Sequence, residues 1–361
     1  TKNIIDSADL VIVHYWNHPL LTNMLVNQDI GLARFLVWCH GSGLNEPSVI
    51  PNYLFDLSEK LIFSSKISYL SPNLQSLIEI NDTKFQAIRS ARDLKHFIEI
   101  GQKRKTKKFK KKLLYVGTVS YQKLHLDFLK IITKLALLGF EITVVGGSEQ
   151  DKFKKQISEN IKNKILFTGE VFDVKPFYKD SDIFIYPLKK NHYGTGEQVL
   201  QEAMACGLPP VTFDNPSERD LIDNNNNGFL VSNSESFVDT IIDLSSDSAK
   251  YKKMSYSCIH KAKNQFYSRV KNIIEAKYSA QEIKVIESDL LLLGFNDLLE
   301  YISIVYFDYN VLIKALENTD VPKLEGIKYK KESLNEHLKP LDFNLQNSEM
   351  FQEVNTLITQ N

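Results

Sequence analysis

Between residues 113 and 231, six short apolar runs are each trailed by a stretch of helical character, and this alternation constrains the fold most. The runs are Leu113–Gly117, Ile142–Gly146, Ile165–Gly169, Ile183–Pro187, Pro210–Phe213 and Gly228–Val231. Strands separated by helices must pair in parallel, because a parallel pair needs a long crossover connection. The pattern therefore predicts an α/β unit with a complete six-stranded layout. Four earlier runs, Leu10–His14, Phe35–Cys39, Lys66–Leu70 and Phe85–Arg89, predict a second parallel sheet that is about two strands short. From about Ala276 the chain reads as mostly helical, with apolar faces at Leu290–Leu293, Tyr301–Tyr309 and Leu312–Leu316.

The segment Gly194-Thr195-Gly196-Glu197-Gln198, continuing through Glu202-Ala203-Met204-Ala205-Cys206-Gly207-Leu208-Pro209, reads as a loop, a short helix and a stop. Thr195 is expected to cap the helix, with Gln198 three residues later completing a capping box. Gly207 suits a left-handed helix end, and Pro209 prevents continuation. Glycines before the helix leave N–H groups open at its positive end, which suits an anion. Glu202 is expected about two turns in, exposed toward something bound over the helix. The plainer alternative is an ordinary strand-to-helix turn with a solvated glutamate.

That block resembles the donor-site motif of retaining glycosyltransferases of family 4, within the GT-B superfamily (glycosyl transferases group 1). The resemblance extends over roughly residues 9 to 275. It implies two Rossmann-like domains facing a cleft, the first incomplete, plus a helical C-terminal extension. The implied boundaries are 1–102 for the acceptor domain, 103–112 for a basic linker, 113–275 for the donor domain and 276–361 for the extension. On this view Thr1 is the cut end of a longer chain, and an opening strand with its glycine loop precedes it.

The resemblance also assigns residues. Glu202 matches the second glutamate of the family's Glu-x7-Glu element and would accept both ribose hydroxyls through charge-assisted bonds. The first glutamate falls on Gly194, and Glu197 is the nearest carboxylate. Lys123 lies at the family's spacing from Gly117 for a diphosphate clamp, while Thr118 stands where an arginine is expected. A diphosphate leaving group needs positive charge as the glycosidic bond breaks, and Lys190, with Lys189, is a further source. Gly146 resembles the glycine turn of the second strand. Phe172, after the third strand, is expected either to flank the base or to lie in the core. His40 follows an apolar strand at its C-terminal end, where open α/β sheets bind ligands. It is the catalytic-region candidate facing the transferred sugar, or else a plain turn histidine. Arg89, Asp93 and Phe97 echo a structural segment of the family.

The implied activity is transfer of a hexose from a nucleotide-sugar, with retention, to a glycan, lipid-linked or protein acceptor. No metal or cofactor is expected, the nucleotide-sugar being a substrate. The alternatives are a catalytically silent GT-B binding or scaffolding subunit and a sugar-nucleotide epimerase. The 361-residue chain carries no formal net charge, so whole-molecule attraction to nucleic acid is not implied. Locally, Lys103–Lys112 holds eight basic residues in ten. That run is either a solvated linker or a contact to an anionic membrane surface. Cys39, Cys206 and Cys258 show no pairing or ligand spacing; Cys39 and Cys206 read as small core residues, which fits a reducing compartment. No stretch of about 18 apolar residues exists to cross a bilayer. The expected location is cytoplasmic, with peripheral contact at the inner face of the membrane.

Overall fold

The computed structural model describes residues 5, 10–27, 34–45, 49–80, 82–87, 94–106, 108–147, 149–195 and 197–267. The predicted helical extension, Arg89, Asp93, Lys107 and Gly196 lie outside the described residues. The chain forms two compact units. Over the described part of the chain, one contains residues up to 90 together with 193–196, and the other contains 91–192 and 197–267.

In the first unit the described elements run β1 (Leu10–Tyr15), α1 (Pro19–Asn27), β2 (Arg34–Cys39), α2 (Tyr53–Leu57), β3 (Lys60–Phe63), α3 (Gln75–Ile80) and β4 (Phe85–Ala87). The four strands pair in parallel in sequence order, with Val13 opposite Val37 and Val37 opposite Leu61. β2 is buried on both faces from Phe35 to Cys39, which is why it reads as one continuous apolar run. The third strand was expected at Lys66–Leu70. It lies instead at Lys60–Phe63, and Lys66–Leu70 is a 3-10 helix capped by the Ser65 hydroxyl, which accepts from the Ile67 N–H. Ile62 and Phe63 are fully buried in the sheet, whereas Leu70 is 59% exposed.

The second unit runs α4 (Lys95–Gln102), β5 (Lys112–Val116), α5 (Phe128–Leu137), β6 (Glu141–Val145), α6 (Gln150–Lys154), β7 (Ile165–Gly169), α7 (Lys175–Asp180), β8 (Ile183–Tyr186), α8 (Gln198–Ala205), β9 (Pro210–Phe213), α9 (Pro216–Arg219), β10 (Phe229–Val231), α10 (Ser234–Ser246) and α11 (Ser248–Lys261). Its sheet has the order β10-β9-β8-β5-β6-β7, all parallel, as the six apolar runs predicted. The chain winds outward from β5 to β7, then returns to place β8 on the other side of β5. This doubly wound Rossmann order creates a switch point between β5 and β8, and ligands bind outside the carboxyl ends of strands there.

The division at residue 90 moves α4 into the second unit, away from the 1–102 assignment. Gly101 explains why α4 belongs there, since a Cβ on it would meet the Ala205 carbonyl oxygen at 2.2 Å. Phe97 also meets Tyr178 edge-on at 5.6 Å. The basic run is likewise woven into this unit, not a free linker. Arg104 is 8% exposed and donates to the carbonyls of Cys206 (2.7 Å), Ser181 (2.6 Å) and Tyr178 (2.8 Å). It thereby neutralises the negative C-terminal ends of α7 and α8. Lys112 pairs with Asp180, while the Lys110 and Lys112 N–H groups both donate to Asp182. The side chains of Lys103, Lys108, Lys110 and Lys111 remain exposed.

Candidate functional site

At the switch point of the second sheet, the loops after β5 and β8 are zipped together. The Lys189 N–H donates to the Lys123 carbonyl at 3.0 Å, and the His125 N–H donates to the Pro187 carbonyl at 2.9 Å. Gly117 and Gly146 close the neighbouring turns. Gly146 has φ +143°, and a Cβ there would fall 1.8 Å from the Gly117 carbonyl oxygen, so only glycine fits. The Thr118 carbonyl accepts from the Tyr115 hydroxyl at 2.7 Å. Lys123 is held at the end of this loop, with Nζ 3.4 Å from Glu197 Oε2 and 5.2 Å from the centroid of the Tyr186 ring.

Glu197 is the centre of a buried polar cluster. The Tyr186 hydroxyl donates to its Oε2, and His192 Nδ1 lies 3.9 Å from its Oε1. His192 Nε2 in turn lies 3.1 Å from Glu218 Oε1, and the Ser217 hydroxyl donates to Glu218 Oε2 at 2.6 Å. Burial pushes the Glu197 carboxyl up, but the charges of Lys123 and His192 and the Tyr186 hydroxyl outweigh it and hold the carboxyl below its usual value. Burial, and then the Glu197 charge, push the Tyr186 hydroxyl well up. Glu197 adopts φ 29°, ψ 65°, an uncommon backbone for a residue with a Cβ, immediately before α8.

This geometry corrects several details expected from the sequence. The helix starts at Gln198, and its N-cap is Glu197 without a side-chain cap bond, so Thr195 and Gln198 form no capping box. The Thr195 hydroxyl donates instead to the His40 carbonyl at 2.9 Å, within the first unit. Glu202 is the fifth residue of α8, about one turn in, and is 1% exposed, not a solvent-facing position. Gly207 takes the expected left-handed end, φ +71°. Phe172 is fully exposed after β7, which removes the core alternative. Lys190 is exposed, and Gly194 is half-buried beside Thr195. Sequence reasoning missed Tyr186, His192 and Glu218. Tyr186 had a signal, as the last residue of a strand at the ligand edge. Glu218 had none, because only the fold brings it to His192.

The first unit gathers a second cluster at the carboxyl ends of β1, β2 and β3. His40 Nε2 lies 2.8 Å from His14 Nδ1, and His40 Nδ1 lies 3.2 Å from the Ser64 hydroxyl. Ser64 Oγ also donates to the Cys39 carbonyl at 3.1 Å. One arrangement of protons satisfies all three contacts: His40 donates through Nδ1 to Ser64 and accepts from His14 through Nε2. Among the described residues no group of three or more His, Cys, Asp or Glu could hold a metal.

Residues 97–261 match the family model described as glycosyl transferases group 1. Solved structures with similar folds include a glycosyltransferase from Rickettsia africae, 20% identical, TM-score 0.58, covering 88% of this chain and 80% of that one. HepE from Anabaena, solved with UDP and glucose, is 16% identical with TM-score 0.58, covering 76% of this chain and 80% of its own. TarM from S. aureus, solved with UDP among its ligands, is 15% identical with TM-score 0.56. The fold is that of the GT-B glycosyltransferases. TarM is covered over only 53% of its length by 72% of this chain, so the chain spans about half of that relative. No curated protein sequence matches. The matched residues 97–261 include Lys123, Glu197 and Glu202. Among the described residues no helix is long and apolar enough to cross a membrane.

Proposed function

We propose that this chain is a glycosyltransferase that binds a nucleotide-activated sugar at the carboxyl edge of the second sheet and transfers the hexose with retention. The observation that carries the reading is Lys123 held at the β5/β8 switch point, beside the N-terminus of α8, inside the region that matches the group 1 model. That position combines a fixed cation with the positive end of a helix dipole, two features that suit a diphosphate leaving group. Glu202 takes the ribose hydroxyls, Phe172 offers an exposed ring to the base, and Gly117, Thr118 and Gly146 supply the turns beside the phosphates. Lys190 adds exposed positive charge, and Glu197 orients Lys123. The burial of Glu202 means that its variants must be read for stability as well as for binding.

His40 belongs to the acceptor side in this reading, and its Ser64 and His14 partners fix its ring. With no carboxylate placed as a nucleophile, the reaction proceeds by leaving-group stabilisation and attack of the acceptor on the same face of the sugar. The acceptor is a glycan, a lipid-linked saccharide or a protein, and the reaction takes place at the cytoplasmic side of a membrane. The second unit carries the donor chemistry; no metal or cofactor is assigned a step.

A second reading is a binding subunit with no turnover, favoured by the pairing of Lys123 with Glu197, which occupies the cation meant for phosphate. A turnover assay with a panel of uridine, guanosine, adenosine and thymidine diphosphate sugars separates the two. Release of nucleoside diphosphate with any donor supports the transferase, and binding of the donors without release supports the subunit.

A further inference from the structure

We propose that Trp16 is the stacking platform of a saccharide subsite at the carboxyl end of the first sheet, receiving a pyranose ring on its open indole face. Trp16 follows β1 directly and is 62% exposed, whereas Trp38 is 3% exposed. One face of the Trp16 indole is already taken: it stacks on the His40 ring at 4.6 Å with 12° between planes. His40 is itself nearly coplanar with His14 and bonded to it edge to edge (centroids 5.0 Å, 11°), it stacks on Trp38 (5.3 Å, 24°), and His14 leans on Trp38 at 5.5 Å. Trp16 therefore stands at the end of a ladder of rings that reaches down to a buried residue. Its plane is fixed before any ligand arrives, which lowers the ordering cost of binding.

The backbone keeps the ring in that place. Asn17 has φ +56°, a left-handed conformation that turns the chain away just after Trp16. The turn is tied down because the Tyr15 hydroxyl donates to Asn17 Oδ1 at 2.8 Å and the Thr22 N–H donates to the His18 carbonyl at 3.0 Å. A rigid, solvent-facing indole of this kind, strained at its own base, fits a ligand with an extended apolar face and a polar rim. A pyranose has both: its axial C–H bonds carry partial positive charge complementary to the negative face of the indole. The exposed His14 lies along the same edge and suits ring hydroxyls. The choice of a saccharide rests on the glycosyltransferase reading, and the subsite then belongs to the acceptor.

The protein carries its own reporter, because its two tryptophans differ so strongly in exposure. Titration with the neutral trisaccharides chitotriose and maltotriose should blue-shift the emission and cut acrylamide quenching of the exposed tryptophan at least twofold. Glycerol, which has hydroxyls but no ring, should do neither. Trp16→Ala should abolish the response, and Trp16→Tyr should keep a weaker affinity for the same sugars by calorimetry. Silence toward both trisaccharides in the folded protein, or an undiminished response in Trp16→Ala, overturns the proposal. Turnover of a nucleotide-sugar with an acceptor KM equal in Trp16→Ala and wild type sinks the platform alone. Saccharide binding through Trp16 without turnover of any donor sinks the transferase reading and leaves the platform standing.

Discussion

Lys123 Nζ lies 3.4 Å from Glu197 Oε2, and the two side chains are only 13% and 4% exposed. A charge pair this secluded contributes little net stability compared with an apolar pair, yet breaking it leaves a charge buried without its partner. The arrangement makes Glu197 the anion that holds Lys123 in the absence of a phosphate.

Glu197→Gln should therefore destabilise the protein by about 3–5 kcal/mol, the usual cost of removing one member of a buried pair. Urea denaturation at pH 7 measures this, and a loss under about 1 kcal/mol would mean that Lys123 finds other partners. Because the folded Glu197 carboxyl is held below its usual 4.5, its stabilisation is complete above that pH and fades as pH falls further. The wild type should accordingly lose its advantage over the variant on acidification below about pH 4.5.

Arg104→Ala removes three charge-assisted bonds to carbonyls that end α7 and α8. With hydrogen bonds to charged groups contributing about 1.5–3 kcal/mol each and not adding fully, a loss of about 3–5 kcal/mol is expected. Arg104→Lys should recover only part of it, since an ammonium cannot span three carbonyls with the guanidinium's planar fork. Thermal unfolding distinguishes this structural role from an idle linker, in which both variants would match the wild type.

The exposed lysines of the basic run lead to a separate test. Lys103, Lys108, Lys110 and Lys111 should draw the protein to vesicles containing anionic lipid, at about 1 kcal/mol per charge near the surface. Co-sedimentation should occur at low salt, fade at high salt and disappear when these four lysines become Gln. Arg104 is excluded from the set because it is buried. Sedimentation indifferent to both salt and charge would rule this surface out as the anchor.

Glu202→Gln should weaken nucleoside diphosphate binding at least tenfold, about 1.4 kcal/mol, by removing the charge that accepts the ribose hydroxyls. Since Glu202 is buried, the thermal midpoint must be followed in the same samples. Unchanged affinity in a folded variant would take Glu202 out of the nucleotide site.

Much of the second sheet was legible because its central strands β5, β8 and β9 are buried on both faces and so appear as unbroken apolar runs, with β8 buried from Ile183 to Tyr186. β3 was not legible: Lys60-Leu61-Ile62-Phe63 is four residues long and begins on a lysine. The neighbouring Lys66–Leu70 has similar composition, and periodicity cannot separate runs that short. At the candidate site, Lys123 and the Gly194–Glu202 segment could be picked out by their resemblance to the family 4 motifs, not by spacing alone. The contacts of Glu197 with Tyr186, and of His192 with Glu218, could not, because they join segments that meet only once the sheet is wound. The burial of Glu202 was hidden for the same reason, since what covers a helix position is decided by other elements. Arg104 looked like one charge among many in a basic run, and only the helix ends around it reveal its function.

The most direct test of a nucleotide-sugar site at the switch point is calorimetric titration of the protein with UDP, GDP, ADP and dTDP, comparing wild type with Lys123→Ala and Lys108→Ala. Saturable binding of at least one nucleoside diphosphate is predicted, weakened tenfold or more in Lys123→Ala and unchanged in Lys108→Ala. Binding of none of the four to the folded protein, or equal losses in the two variants, would contradict it.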